Sequence, residues 1–224
     1  MPRGVTDHQF LLKYFQLLIR RTLRKVIRQR QTFMGEIYAS INEKLKEWLS
    51  AQKMFFVATA PLSQEGHVNC SPKDGESFRV LDEQTVAYLD LTGSGVETIA
   101  HLKENGRIVL MFCAFSKAPK IVRLHGRGEV IESEHPEFEQ LREKFPLVAG
   151  TRSFIKVRLT RISDSCGYGV PLYEYRGQRS QLKAWTEHKG EESLVDYRAK
   201  NNSWSIDRLP GVNVAETNSV ETLR

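Results

Sequence analysis

The spacing of apolar residues changes at Met54, and this change restricts the fold more than any other feature of the sequence. From Glu36 to about Ser50 they recur every three or four residues, which predicts a helix. Beyond Met54 they alternate with polar residues in short runs separated by turn-forming residues, which predicts strands. Because these strands are not interleaved one by one with helices, the pattern argues against a doubly wound parallel sheet.

The predicted strands fall into hairpins interrupted by small helices. In order they are strands Met54 to Ala60, His67 to Ser71, Phe78 to Leu81 and Thr85 to Asp90, a helix from about Gly95 to Asn105, strands Arg107 to Phe115 and Lys120 to Glu132, a short helix from Pro136 to about Phe145, strand Phe154 to Ile162, and helices Ser180 to His188 and Glu191 to Lys200 broken by Gly190. Gly126 and Gly128 share one face of their strand, which indicates strong curvature or a close approach to the backbone. We expect a mainly β (α+β) fold, a small antiparallel barrel with peripheral helices.

The positive charge of the chain lies in its first 33 residues. That stretch holds eight Lys or Arg and one acid, Asp7, whereas the remaining 191 residues hold 25 basic and 26 acidic groups. The body is therefore nearly neutral, and its charge gives no support to nucleic-acid binding. Its longest apolar run, Ile108 to Phe115, has 8 residues, against about 20 for a transmembrane helix, so we expect no transmembrane segment.

Residues 1–33 read as a basic amphipathic extension, with three interpretations left open. They fit an Arg-rich mitochondrial presequence, an interfacial membrane helix, or upstream sequence preceding a natural start at Met34. The remaining predicted divisions are a barrel domain at 34–175, a helical segment at 176–210 and a polar tail at 211–224.

The three cysteines indicate a reducing compartment, because Cys70, Cys113 and Cys166 contain no Cys-x-x-Cys pair. We predict a cytoplasmic protein, or a mitochondrial one if residues 1–33 are a presequence. Cys70 and Cys113 are expected to be buried structural thiols. The histidines show no metal-ligand spacing, so no metal site is predicted.

A glycine-bearing turn, Leu91 to Thr98, joins a predicted strand to a predicted helix. Backbone N–H groups at a helix start can bind a phosphate, and Ser94 is the candidate contact in this turn. The alternative is a capping box, in which Ser94 and Glu97 use the same donors to close the helix.

Cations on two strands are further candidates for binding a charged or reduced ligand. Lys73 ends the Asn69–Lys73 stretch, and Lys120 and Arg123 lie on the long strand with Gly126. A solvated face is the competing interpretation. The Ser165–Pro171 loop, with Tyr168 between two glycines, could cover a flat ligand or be a plain connection.

Three segments in this order and spacing resemble the pyridoxamine 5'-phosphate oxidase family, whose fold is the FMN-binding split barrel. They are His67-Val68-Asn69-Cys70-Ser71-Pro72-Lys73, Thr92 through Glu104-Asn105-Gly106-Arg107-Ile108-Val109-Leu110, and Lys120-Ile121-Val122-Arg123-Leu124-His125-Gly126. The chain is similar to a branch of the family in which Ser-Cys-Gly-Tyr-Gly-Val-Pro follows the barrel. The resemblance implies an antiparallel Greek-key split β-barrel that forms a homodimer, with two FMN molecules at the subunit interface.

The resemblance also implies roles for individual residues. Val68 to Ser71 would line the flavin through backbone groups, Lys73 would contact the ring or the substrate, Thr92 the flavin, Thr98 its phosphate, and Lys120 the ring. With the two candidates from the turn and the long strand, the predicted cofactor-binding residues are Val68, Asn69, Cys70, Ser71, Lys73, Thr92, Ser94, Thr98, Lys120 and Arg123.

The sequence departs from the family where the phosphate and the substrate would bind. The Arg-Lys pair that grips the FMN phosphate is replaced by Glu97-Thr98, and the family's Arg at the head of the second-strand motif by Val68. The family's Arg-x-His-x-Arg region, which holds pyridoxal phosphate, has no counterpart between Tyr173 and Leu209. We therefore predict an FMN-dependent oxidoreductase that does not oxidise pyridoxamine phosphate and whose small-molecule substrate the sequence does not identify. The alternative is a non-catalytic protein that binds flavin, haem or another flat cofactor on the same scaffold.

Overall fold

The computed structural model describes residues 35–213, in which eight strands form one sheet with helices around it. The elements are β1 Ile37–Tyr38, α1 Glu43–Ser50, β2 Met54–Thr59, β3 Asn69–Asp74, β4 Phe78–Val80, β5 Thr85–Leu91, α2 Glu97–Asn105, β6 Arg107–Cys113, β7 Ile121–Ile131, α3 Phe138–Arg142, β8 Thr151–Ser165 and α4 Gln181–Asn201. Residues 1–34 and 214–224 lie outside this range, and so do the predictions made for residues 1–33 and for most of the polar tail.

The sheet is antiparallel throughout, as the sequence predicted. Its strands run in the order β3-β2-β6-β7-β8-β5-β4, and β1 adds to the end of β8. The long β8 pairs with β7 along one edge and with β5 and then β1 along the other. Neighbours that are distant in sequence, such as β2 with β6 and β5 with β8, give the curled split barrel its topology.

An aromatic cluster brings the two ends of the curled sheet together. Phe55 of β2 stacks on Phe112 of β6 with ring centroids 5.1 Å apart, and Phe78 of β4 meets both rings. Tyr88 of β5 completes the cluster at 5.6 Å from Phe55. All four rings are buried, because the period of two directs these positions inward.

The two glycines of β7 are required by close packing, which confirms the prediction of a close approach. A Cβ atom on Gly126 would lie 2.4 Å from the carbonyl oxygen of Arg158, at the point where the register between β7 and β8 shifts. A Cβ on Gly128 would lie 2.8 Å from Leu102 of α2. Both positions therefore bring β7 closer to its neighbours than a side chain allows.

The structure corrects the first predicted helix. It begins at Glu43 rather than Glu36, because the side chain of Asn42 accepts a hydrogen bond from the Leu45 N–H at 2.9 Å and caps it there. The preceding residues Ile37 and Tyr38 pair with β8 instead. The predicted break at Gly190 is confirmed, since this residue has φ 73° inside α4.

One of the two thiol predictions is wrong. Cys113 is buried at the end of β6, but Cys70 is exposed because it lies on the outward side of β3, at the edge of the sheet. None of the helices between residues 35 and 213 combines the length and apolar character that crossing a bilayer requires.

Candidate functional site

Five polar side chains form a hydrogen-bond network where β3 meets α2; we call it the Asn69 network. The amide of Asn69 donates to Thr98 Oγ1 at 3.0 Å and to Thr59 Oγ1 at 3.2 Å. Its carbonyl oxygen accepts from the hydroxyl of Ser71 at 3.0 Å. Three predicted site residues, Asn69, Ser71 and Thr98, are thus joined directly, and every polar group of the Asn69 amide is used.

His101 of α2 ends this network with one nitrogen unpaired. Its Nδ1 lies 2.9 Å from Thr59 Oγ1, and its Nε2 has no hydrogen-bond partner among the described residues although the side chain is fully buried. Thr59 Oγ1 accepts from Asn69, and its proton and second lone pair allow it either to donate to Nδ1 or to accept from it, according to which ring nitrogen of His101 carries the proton. Burial lowers the pKa of His101 below its usual value, against the opposing effect of Asp207, Glu104 and Glu97.

A second polar assembly, the Asp90 cluster, consists of Asp90, Lys73, Arg152 and Asn202. The buried carboxylate of Asp90 lies 2.8 Å from the Arg152 guanidinium and 3.3 Å from Lys73 Nζ. Burial alone would raise the pKa of Asp90, but the charges of Arg152 and Lys73 outweigh it and hold the pKa below its usual range. Lys73, predicted to contact a ligand, is therefore also the partner of a buried acid.

Residues Asn202–Asn213, which we call the C-terminal segment, fold back over the turn before α2. The buried side chain of Asn202 accepts from Arg152 at 2.9 Å and donates to the carbonyl oxygen of Gly93 at 3.0 Å. Further along, the Asp207 carboxylate accepts from both the backbone and the ring Nδ1 of His67. Thr92, a predicted flavin contact, is buried here and accepts from Arg198 of α4 at 3.1 Å.

The start of α2 differs from the capping-box interpretation of its sequence. Ser94 is exposed, and the helix begins after Val96 without any side-chain cap, so the predicted Ser94 capping box is wrong. The Glu97 carboxylate instead accepts from the N–H of Val96 at 3.1 Å. A negative group therefore lies on the helix N-terminus, where its charge interacts favourably with the helix dipole.

Lys120, directly before β7, and Arg123 of β7 are two of the remaining four candidates, and strands β2 and β6 lie between them and β3. Lys120 Nζ lies 3.0 Å from Asp164 and 3.0 Å from the hydroxyl of Tyr38, and above the rings of Tyr38 and Trp48. Arg123 donates to the hydroxyl of Ser165 at 3.0 Å. Burial, together with the negative charge of Asp164, raises the pKa of the Tyr38 phenol.

Val68 and Cys70 present their side chains to solvent beside the Asn69 network. Val68 is 74% exposed, and β3 is an edge strand, paired only with β2 among the described residues. Pro72 of β3 has no N–H to donate, so its nitrogen belongs on the unpaired side of the strand. Alternation along the strand then directs the backbone N–H and C=O of Cys70 to the same free edge.

Two surface clefts of the described chain lie away from the candidate residues. These clefts, of about 290 Å³ beside α3 and about 600 Å³ beside Gln52 and Glu76, contain none of the ten candidates. The Asn69 network, the Asp90 cluster and the pair Lys120 and Arg123 are three separate groups of polar side chains. A ligand held by β3 would be open to solvent on one side unless another surface covered it.

Sequence reasoning missed the buried partners that position these candidates. Thr59 bonds directly to the candidate Asn69, and Asp90 to the candidate Lys73. Behind them, His101 bonds to Thr59, Arg152 to Asp90, and Asp207 to His67 beside Val68. The bonded residues lie 10 to 140 positions apart in the sequence. A local signal existed for Asp90 alone, since a charged residue at the end of a buried strand requires a partner.

Comparison with known proteins gives the family. The pattern of the family described as "Pyridoxamine 5'-phosphate oxidase" matches residues 41–166. The chain belongs to this family. It is also 37% identical over 201 residues to the pyridoxamine 5'-phosphate oxidase family protein ustO of Aspergillus flavus, a match that covers 81% of this chain and 80% of that protein.

Among solved structures, the chain is similar to HupZ of Group A Streptococcus, with 21% identity, coverage of 55% of this chain and 91% of that one, and a TM-score of 0.43. It is similar as well to an FMN-binding protein from Syntrophomonas wolfei, with 14% identity, coverage of 67% and 96%, and a TM-score of 0.42.

Proposed function

We propose that this chain is a flavin-binding oxidoreductase of the pyridoxamine 5'-phosphate oxidase family, acting as a homodimer on a small molecule. FMN is the flavin that the family resemblance predicts. The observation that carries the proposal is the free edge of β3, which offers backbone groups of Cys70 beside the exposed side chain of Val68. An isoalloxazine ring has an apolar face and a polar pyrimidine edge, and this strand complements both.

The residues fit the ring of a flavin better than its phosphate. Backbone N–H and C=O groups on β3 can hydrogen bond the polar edge of the ring, while the Asn69 network fixes the strand beneath it. At the start of α2, by contrast, the Glu97 carboxylate occupies the place where a phosphate would lie. The proposal therefore rests on how β3 would bind the isoalloxazine ring, and not on a phosphate site.

A second copy of the chain is part of the proposal, because one chain leaves the ring uncovered. Strands β2 and β6 separate Lys120 and Arg123 from β3 within one chain, so these two cations would serve the β3 site of the partner. A cation beside the ring would stabilise the negative charge of a reduced flavin. Lys120 is held for such a role between Asp164 and two aromatic rings.

A bound flavin would supply hydride or electron transfer, and the protein would supply position and charge. The Asn69 amide holds β3 to β2 through Thr59 and to α2 through Thr98. Lys73 would bring a positive charge near the ring, and it shares the carboxylate of Asp90 with Arg152. No side chain is assigned as a general acid, base or nucleophile.

The absorbance spectrum of the purified full chain, measured together with its size in solution, tests the proposal. We expect flavin bands, present on purification or appearing when FMN or riboflavin is added, on a species of dimer size. A chain that binds neither flavin would overturn the proposal. Bound flavin that NAD(P)H never reduces and oxygen never reoxidises would favour the non-catalytic alternative instead.

Thiol labelling locates the site without any assay of activity. Cys70 is exposed on β3, so a maleimide should label it in the free chain, and flavin binding at the dimer interface should slow that labelling at least about tenfold. The Cys70→Ser variant measures the background from Cys113 and Cys166. Unchanged labelling of Cys70 at saturating flavin would place the ring elsewhere.

A further inference from the structure

The first residue of α2 places a carboxylate on the N-terminus of its own helix. Glu97 accepts from the N–H of Val96 at 3.1 Å and lies 3.4 Å from the N–H of Ile206 in the C-terminal segment. Free N–H groups at a helix start are a common phosphate-binding feature. Here the chain fills that position with its own negative charge, on a helix whose second residue, Thr98, bonds to Asn69 of the candidate site.

The cations around this end of the site are already paired. Lys73 and Arg152 both bond to the single carboxylate of Asp90, and Lys103 in the last turn of α2 lies 2.8 Å from Glu132. A phosphate arriving here would meet no unpaired Lys or Arg among these three.

The charged groups that act on His101 are all carboxylates. Burial lowers the pKa of His101, and the carboxylates of Asp207, Glu104 and Glu97 act against that effect. Three acids therefore lie close enough to influence one imidazole. Two of them belong to α2, and the third comes from the C-terminal segment, where it binds His67.

The turn before α2 is also engaged by protein groups. Asn202 donates to the carbonyl oxygen of Gly93 at 3.0 Å, and Arg152 donates to that of Gly95 at 2.9 Å. A Cβ atom on Gly95 would lie 2.7 Å from the Glu97 carboxylate, so the carboxylate packs directly against the turn. The loop cannot open toward a phosphate unless these contacts break.

We infer that the site prefers a flavin without phosphate over FMN, with the hydroxyl groups of the ribityl chain facing Glu97. This inference rests on the proposed function. A carboxylate accepts hydrogen bonds from hydroxyl groups. It repels a phosphate dianion when no cation lies between the two negative groups. Glu97 is thus a specificity-determining residue, and the ligand class is a neutral flavin of the riboflavin type.

Flavin fluorescence titrations on the full chain test this inference, with riboflavin and FMN as the two probes. We expect riboflavin to bind at least about tenfold more tightly than FMN, which is the scale of one charge-assisted contact. In Glu97→Gln the ratio should fall toward one, and in Glu97→Lys it should reverse. Glu47→Gln removes one negative charge from the exposed side of α1 and should leave the ratio unchanged.

The outcomes separate this inference from the proposed function. FMN binding as tightly as riboflavin to the unmodified chain, or a ratio that Glu97→Gln does not change, would overturn the inference and leave flavin binding intact. Binding of neither flavin would overturn both. The comparison on the unmodified chain needs no variant, so poor folding of a Glu97 variant does not remove the test.

Discussion

The Asp90 cluster and the Asn69 network are both buried polar assemblies, but only the first is complete. Both oxygens of Asp90 are paired, Arg152 makes further bonds to Gly95 and Asn202, and the cluster joins the barrel to the C-terminal segment. The Asn69 network ends at His101 Nε2, which has no partner in the part of the chain that the structure describes. A complete buried network stabilises a fold, whereas an incomplete one leaves a polar group whose ionisation and ligand contacts are still adjustable.

Replacing Arg152 should change the free energy of unfolding more than any other substitution in these two assemblies. Arg152→Met leaves the buried Asp90 carboxylate with Lys73 alone, so we expect the free energy of unfolding to fall by about 3 to 5 kcal/mol. Urea denaturation of the full chain measures it. Arg142→Met is the matched control, because this arginine is half exposed and bonds to Glu139 on the same short helix, and it should change stability by less than about 0.5 kcal/mol. Equal losses in the two variants would show that the Asp90 cluster is not the stabilising element.

Asn202 should have the next largest effect, because it ties the C-terminal segment to the cluster. Asn202→Ala removes the bonds to Arg152 and to the Gly93 carbonyl at a fully buried position, with an expected loss of about 1 to 3 kcal/mol. Hydrogen exchange should also accelerate in residues 203–213 before it does in the barrel strands. The exposed neighbour variant Asn201→Ala is the control. Unchanged exchange in the segment would contradict the role given to Asn202.

The smallest predicted effect concerns pH and the incomplete network. The folded-state pKa of His101 lies below its ordinary value of 6.5, so the unfolded chain takes up a proton first as the pH falls. His101 therefore lowers stability progressively below about pH 6.5, by at most about 1.4 kcal/mol between pH 7.5 and 5.5.

In His101→Gln, the difference in unfolding free energy between these two pH values should shrink relative to the unmodified chain, whatever the variant does to overall stability. His188→Gln on the exposed side of α4 controls for the loss of an imidazole. A pH dependence that His101→Gln leaves intact would assign the effect to other groups, such as His125, whose pKa burial also lowers.

The predictable parts of the fold are those that depend on neighbours in sequence. Period-two alternation located the barrel strands, and Gly190 marked the break in α4 at φ 73°. The misplaced start of α1 shows the limit of this approach. The helical spacing extends back to Ile37, but pairing with β8, 126 residues away, takes Tyr38 into a strand.

By itself, the sequence determined the antiparallel class, indicated curvature or a close approach at the two glycines of β7, and identified the family of the chain. The resemblance to that family rested on the order and spacing of short motifs, which are preserved in the linear chain. Only the tertiary structure decided that Cys70 is exposed, that Asp90 pairs with Arg152, and that the C-terminal segment and Glu97 close the start of α2. Those outcomes depend on which distant segments the sheet brings together. Burial and electrostatic pairing are set by distances in space, and the order of residues in the sequence does not give these distances.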